Sequence, residues 1–206
     1  MKNLIKVTLL LAVLVAQLGA QNAAQAPAQG SGVGISTSKP NCGMHYGKSY
    51  FFQYCAPKGW TLDAGTSHGE GIDVSIYPDG SSWDSARESG TIMYITTFDK
   101  PNNKYTVEKA MAFDADDTKQ SAKSAVIVVK QGEPIKLDDQ VVPVQVFAPG
   151  GFNRYEASAY IDSPKVIIMF VMTSKNVDAF KRDYPAFVQF VQSYKFMSSN
   201  VTIQYK

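Results

Sequence analysis

The sequence is poor in residues that carry metal or redox chemistry, with two cysteines and two histidines in 206 residues. Cys42 and Cys55 do not have the Cys-x-x-Cys spacing that is typical of structural zinc sites. The charge is nearly balanced, at 20 basic and 18 acidic residues, and becomes 18 to 18 without Lys2 and Lys6. A neutral domain is not expected to bind nucleic acid or an acidic membrane surface through charge alone.

No apolar run reaches the ~20 residues that a membrane-spanning helix needs. Residues 7–18 are almost wholly apolar, follow Lys2 and Lys6, and end at Gly19 and Ala20. A positive start, an apolar middle and small residues at the end are typical of a secretory signal. We predict a signal peptide over residues 1–20, and a periplasmic or secreted mature protein. No cysteine lies near this cleavage site, so neither lipidation nor stable membrane insertion is expected after cleavage.

Large apolar residues are almost absent from residues 21–41, which consist mostly of alanine, glutamine, glycine, serine and proline. Such a segment cannot bury enough surface to offset the entropy lost on ordering. We therefore predict a flexible low-complexity leader over residues 21–41. Residues 42–206 contain no internal repeat and suit a single domain with its own core.

Hydrophobic periodicity predicts the strands of this domain. Alternation of apolar and polar residues, typical of half-buried strands, occurs at residues 72–76, 155–161 and 201–205. Less regular β-rich segments predict further strands at residues 50–55, 91–98, 125–130 and 142–147. A continuous apolar run at residues 166–172, rich in branched side chains, predicts a strand near the sheet centre with both faces covered.

Two segments have helical spacing instead. Thr106 is suited to cap the first, whose predicted inner face is Val107, Met111, Ala115, Thr118 and Ala122. Asn176 or Ser174 would cap the second, which is expected to bend or restart at Pro185 because proline removes a helical hydrogen bond. Grouped strands with two helices predict an α+β fold, a mainly antiparallel β-sheet covered by two helices.

A short motif gives the chain a family resemblance. Residues 51–60, Phe-Phe-Gln-Tyr-Cys-Ala-Pro-Lys-Gly-Trp, resemble the opening strand and Pro-x-Gly-Trp turn of PsbP-like domains. That group includes a photosystem oxygen-evolving subunit and the Mog-type Ran-binding proteins. The later strands and the closing helix extend the resemblance to residues 50–197. It implies an α/β/α sandwich and, because most members are binding or assembly modules, a non-catalytic role for an exported bacterial relative.

The cysteine pair has two interpretations. Export and proximity favour a disulfide between Cys42 and Cys55. The alternative is a metal site, in which His45 and His68 would complete four ligands.

Two further motifs resemble ligand sites without matching them. The segment from Gly43 to Ser49 has one residue too few between its glycines for a phosphate-binding loop, so no nucleotide or other cofactor is expected. Asp114, Asp116 and Asp117 lack the glycine and glutamate of a calcium-binding loop. They indicate a solvated helix face.

Three residues are candidates for partner contact. Trp83 follows the Asp79-Gly80 turn in a polar segment, and tryptophan is a frequent interface anchor. His68 and Glu70 lie in a glycine-rich loop, and loops on rigid scaffolds often carry function. The first hypothesis is a non-catalytic exported domain that binds a protein or cell-envelope partner. The second is a small exported hydrolase that uses His68 with Glu70, or a Cys/His-bound metal.

Overall fold

A computed structural model describes residues 33–35, 41–65, 72, 74–100, 105–121, 128–148 and 154–199. The helices in these residues are α1 (Trp83–Ser89), α2 (Val107–Ser121) and α3 (Val177–Gln192). The strands are β1 (Val33–Ile35), β2 (Cys42–Tyr46), β3 (Phe51–Cys55), β4 (Trp60–Asp63), β5 (Ser75–Pro78), β6 (Thr91–Asp99), β7 (Val128–Gln131), β8 (Ile135–Lys136), β9 (Val141–Val142), β10 (Val144–Ala148), β11 (Tyr155–Asp162), β12 (Val166–Ser174) and β13 (Lys195–Ser198). None of the described helices is both long and apolar enough to cross a bilayer.

The large sheet has seven strands in the order β4-β5-β6-β12-β11-β10-β7. Every pairing within it is antiparallel. The central strand is β12, and all of its residues are buried. The prediction of a central strand covered on both faces is therefore confirmed, as is a mainly antiparallel α+β fold.

Side-chain alternation on β12 divides the interior into two cores. Val166, Ile168, Phe170 and Met172 pack with residues of α3. The intervening residues Ile167, Met169 and Val171 pack with Ala110 of α2. The sheet thus lies between α3 on one face and α2 on the other.

Helix α3 begins as the sequence predicts, with the Asn176 side chain accepting a hydrogen bond from the Ala179 backbone N–H at 2.8 Å. It then runs as one helix to Gln192 with Pro185 inside it. Of the two predicted alternatives, a bend or a restart at Pro185, the restart is wrong. Pro185 is exposed, and water can satisfy the carbonyl of Lys181 that proline leaves without its helical donor. The inward side of the helix is therefore continuous.

Helix α1 was not predicted, so the described residues contain three helices rather than the expected two. Its start is a capping box in which the Ser82 and Ser85 side chains each accept a hydrogen bond from the other residue's backbone N–H. A serine replaces the usual glutamate or glutamine at the third helical position, which made this start hard to recognise. Trp83 and Ala86 of this helix pack against Ile92 of β6.

A second sheet, in the order β1-β2-β3-β13, adds a strand from the predicted leader. Val33–Ile35 pairs with β2, and the Asn41 carbonyl accepts from the Ala56 N–H at 2.8 Å. After β3 the chain turns at Gly59, whose φ of 83° is readily adopted by glycine. The Trp60 N–H donates to the Pro57 carbonyl at 3.1 Å across this turn.

Other strand predictions differ in their bounds. The segment 142–147 divides into β9 and β10 at Pro143, which has no N–H to contribute to a ladder. The predicted strand 125–130 is observed from Val128. The signal at residues 1–20 and the strand predicted at 201–205 lie outside the described residues.

Candidate functional site

Cys42 and Cys55 are directly paired across β2 and β3, and their sulfurs form a disulfide. The predicted disulfide is therefore present. His45 lies on the same strand and stacks on Phe52, with ring centroids 5.0 Å apart. Because both sulfurs are bonded to each other, they cannot provide the thiolates of a metal site, and the Cys/His metal alternative is wrong.

Loss of this disulfide should weaken the fold. The Cys42→Ser/Cys55→Ser double variant should lose about 3 kcal/mol of unfolding free energy, because the bond closes a short loop in the unfolded chain. Urea unfolding of the variant and of the oxidised protein measures the difference. Intact mass after alkylation without reductant should show no modified cysteine, and two alkylated thiols would contradict the disulfide.

The predicted partner-contact residues fall in different places. Trp83 begins α1 and is only 3% exposed. It packs with Tyr77, Ala86 and Ile92, because α1 turns its indole back onto the sheet. Trp83 is therefore no exposed anchor. His68 and Glu70 lie outside the described residues.

A cleft of about 390 Å³ lies beside Trp83, on the face of the large sheet that carries α1 and α2. Its lining includes the aromatic side chains of Trp83, Tyr94 and Phe147. It also includes Arg154, which immediately precedes β11, and Glu156, the second residue of that strand. The cleft thus combines aromatic rings with charged groups at the edge of the core.

Polar side chains at alternate positions form a row that starts just before β11 and continues along it: Arg154, Glu156, Ser158 and Tyr160. The first two of these residues line the cleft. One Arg154 guanidinium N–H donates to Thr173 Oγ1 at 3.0 Å. The Ser158 hydroxyl donates to Glu156 Oε1 at 3.4 Å. Successive alternate residues of a strand point to one face, so these groups share the side of the sheet that α2 covers.

The row continues to Tyr160, whose hydroxyl donates a hydrogen bond to Asp114 Oδ2 of α2. The Gln145 carboxamide oxygen lies 2.9 Å from the same hydroxyl. Asp114 is only partly exposed, whereas Asp116 and Asp117 are exposed. The predicted solvated face is therefore correct for the last two residues and wrong for Asp114, which turns towards the sheet.

Burial changes the acid–base properties of the cleft. Burial and, second, the neighbouring Asp114 carboxylate together raise the pKa of Glu156 to about 8. Burial also raises the pKa of Asp114. The pKa of Arg154 is lowered, first by burial and then by repulsion from Arg87. At neutral pH Glu156 is therefore mostly a protonated hydrogen-bond donor beside a charged guanidinium.

This arrangement can bind an anion and an apolar group together. Arginine offers a planar set of donors that matches a carboxylate, and aromatic rings provide rigid contact area. The sequence did not reveal the cleft because its residues come from α1, β6, α2, β10, β11 and β12. The available signal was Glu156 on the polar face of the strand predicted at residues 155–161, with Arg154 immediately before that strand.

Comparisons with known proteins give a structural likeness and no match in sequence. No family model matches it, and no curated protein matches it. It is similar to the solution structure of cyanobacterial PsbP (CyanoP) from Synechocystis sp. PCC 6803, with 15% sequence identity and a TM-score of 0.47. The match covers 81% of this chain and 98% of that chain. A likeness at this level carries no conclusion, and membership of the PsbP-like group stays a prediction.

Proposed function

We propose that the chain is an exported, non-catalytic accessory domain that recognises a protein or cell-envelope partner through the cleft. The observation that carries this proposal is that Arg154 and the aromatic residues Trp83 and Tyr94 line one cleft. Concave sites with apolar walls and a few convergent polar groups are the usual form of a binding site.

Two features support export. The N-terminal sequence has the order of a secretory signal. The Cys42–Cys55 disulfide suits an oxidising compartment, because cytosolic thiols are normally kept reduced. The proposed location is the periplasm or the exterior of the cell.

The hydrolase hypothesis has weaker support. Its metal-dependent form needs Cys42 and Cys55 as thiolates, and these form the disulfide. Its other form depends on His68 and Glu70, which lie outside the described residues. No contact among the described residues favours it.

Affinity capture from the envelope fraction tests the proposed function. The wild-type protein should retain a partner after crosslinking, identified by mass spectrometry, and Arg154→Gln should retain much less of it. Lys181→Gln is the matched control, because Lys181 is exposed on α3, which packs on the opposite face of the sheet. Equal capture by Arg154→Gln and wild type, with equal melting temperatures, would contradict the role of the cleft.

A further inference from the structure

Most of the hydrogen-bond donors of Arg154 have no partner among the described residues. Arg154 is partly buried, and its guanidinium donates to Thr173 Oγ1 at 3.0 Å. Within the described part of the chain, no carboxylate lies within ion-pair distance of it. A guanidinium has five N–H donors, so most of its hydrogen-bonding capacity is available to a bound group.

Among the described residues, the acidic groups around Arg154 do not form a direct ion pair with it. Arg87 of α1 lines the same cleft. Burial lowers the pKa of Arg154, and repulsion from Arg87 is the second cause of this shift. Glu156 is the nearest acidic candidate, but its pKa of about 8 keeps it mostly neutral at pH 7. A bound anion would relieve this repulsion and accept hydrogen bonds from both Arg154 and protonated Glu156.

The carboxylates of α2 limit the charge of that anion. Asp114 and Asp117 of α2 also line the cleft and would repel a dianion more strongly than a monoanion. Trp83, Phe147 and Ile92 form apolar parts of the lining. These features favour a group with one negative charge and an apolar or aromatic body.

We propose that the cleft binds the single carboxylate of a compact molecule or residue with an apolar or aromatic body, and that Arg154 is the main contact of this carboxylate. This inference rests on the proposed function of the cleft and specifies what it recognises. The carboxylate can belong to a free amino acid or to the C-terminal residue of a peptide. Both sources present the same chemistry to Arg154.

Isothermal titration calorimetry at pH 7 with four probes tests the ligand class. L-Phenylalanine and N-acetyl-L-phenylalanine carry the carboxylate, L-phenylalaninamide lacks it, and phenyl phosphate carries greater negative charge. At least one of the first two should bind saturably and at least about tenfold more tightly than the other two probes, as expected for a charge-assisted contact. Tighter binding of L-phenylalanine identifies a free amino acid, and tighter binding of the N-acetyl compound identifies a peptide C-terminus.

Variants locate the binding. Arg154→Gln should lower the affinity for the carboxylate probe at least about tenfold. Arg154→Lys should lower this affinity less, because lysine keeps the charge but loses the planar donor pair. Lys181→Gln should bind the probe with the wild-type affinity. Nitrogen-15 NMR supplies an internal reference, since the indole signal of Trp83 should shift on binding and that of Trp60, which is outside the cleft lining, should not.

Several results would overturn the ligand class. These are absence of saturable binding by both carboxylates, equal binding of the amide, preference for phenyl phosphate, or unchanged binding by Arg154→Gln. If envelope capture still depends on Arg154 in those cases, the ligand class is wrong while the proposed function stands. If capture is independent of Arg154 but the carboxylate binds, the proposed partner role of the cleft fails instead.

Discussion

Phe190→Ala should lower the free energy of unfolding by about 3 to 5 kcal/mol, the range for truncation of a buried phenylalanine. Phe190 is 0% exposed and lies on the inner side of α3. Its ring meets that of Phe170 of β12 edge-on, with centroids 4.7 Å apart, and also meets Tyr54 of β3. Truncation therefore removes a contact that joins α3 to both sheets and leaves a cavity.

Phe113→Ala is the matched control for this substitution. Phe113 also lies on a helix but is 57% exposed, so its truncation should cost at most about 1 kcal/mol. Urea unfolding of the two variants and the wild type gives the comparison. A loss below about 0.5 kcal/mol for Phe190→Ala would mean that α3 does not pack on the sheet in this way.

The features that the sequence predicted are those that depend on local patterns. The apolar run of β12 requires cover on both faces, wherever the covering elements come from. Asn176 caps α3 through a contact within one turn. Cys42 and Cys55 needed only to be close and oxidised. Each of these signals involves residues that are near one another in the chain.

The cleft depends on long-range packing, which no local pattern records. Alternation in β11 predicted one buried face and one face exposed to solvent. Helix α2 covers the face predicted to be exposed, and its Asp114 accepts a hydrogen bond from the Tyr160 hydroxyl. Trp83 was predicted at the surface, but it begins a short helix with a serine capping box and is buried in the core. The polar residues of β11 thus became a partly buried row instead of a solvated one.

The raised pKa of Glu156 makes the free energy of unfolding depend on pH. The pKa of Glu156 is raised to about 8 from an ordinary value of 4.5, first by burial and then by Asp114. Between these values the folded protein holds a proton that the unfolded chain releases, so stability falls as pH rises. Asp114 and Asp117 of α2, Arg87 of α1, Tyr94 of β6 and Arg154 are the charged or titratable groups lining the cleft around Glu156.

Glu156→Gln should remove this part of the pH dependence, because glutamine resembles the protonated acid and does not ionise. The two proteins should have similar unfolding free energies at pH 5, and the variant should be more stable by up to about 4 kcal/mol at pH 9, at 1.36 kcal/mol per unit of pKa difference. Urea unfolding at pH 5, 7 and 9 measures the difference, in which the titration of groups common to both proteins cancels. Glu133→Gln, an exposed glutamate, should follow the wild-type profile because its side chain stays in water. Parallel profiles for Glu156→Gln and wild type would mean that Glu156 is ionised in the folded protein at neutral pH, and that it neutralises Arg154 instead of leaving that charge for a ligand.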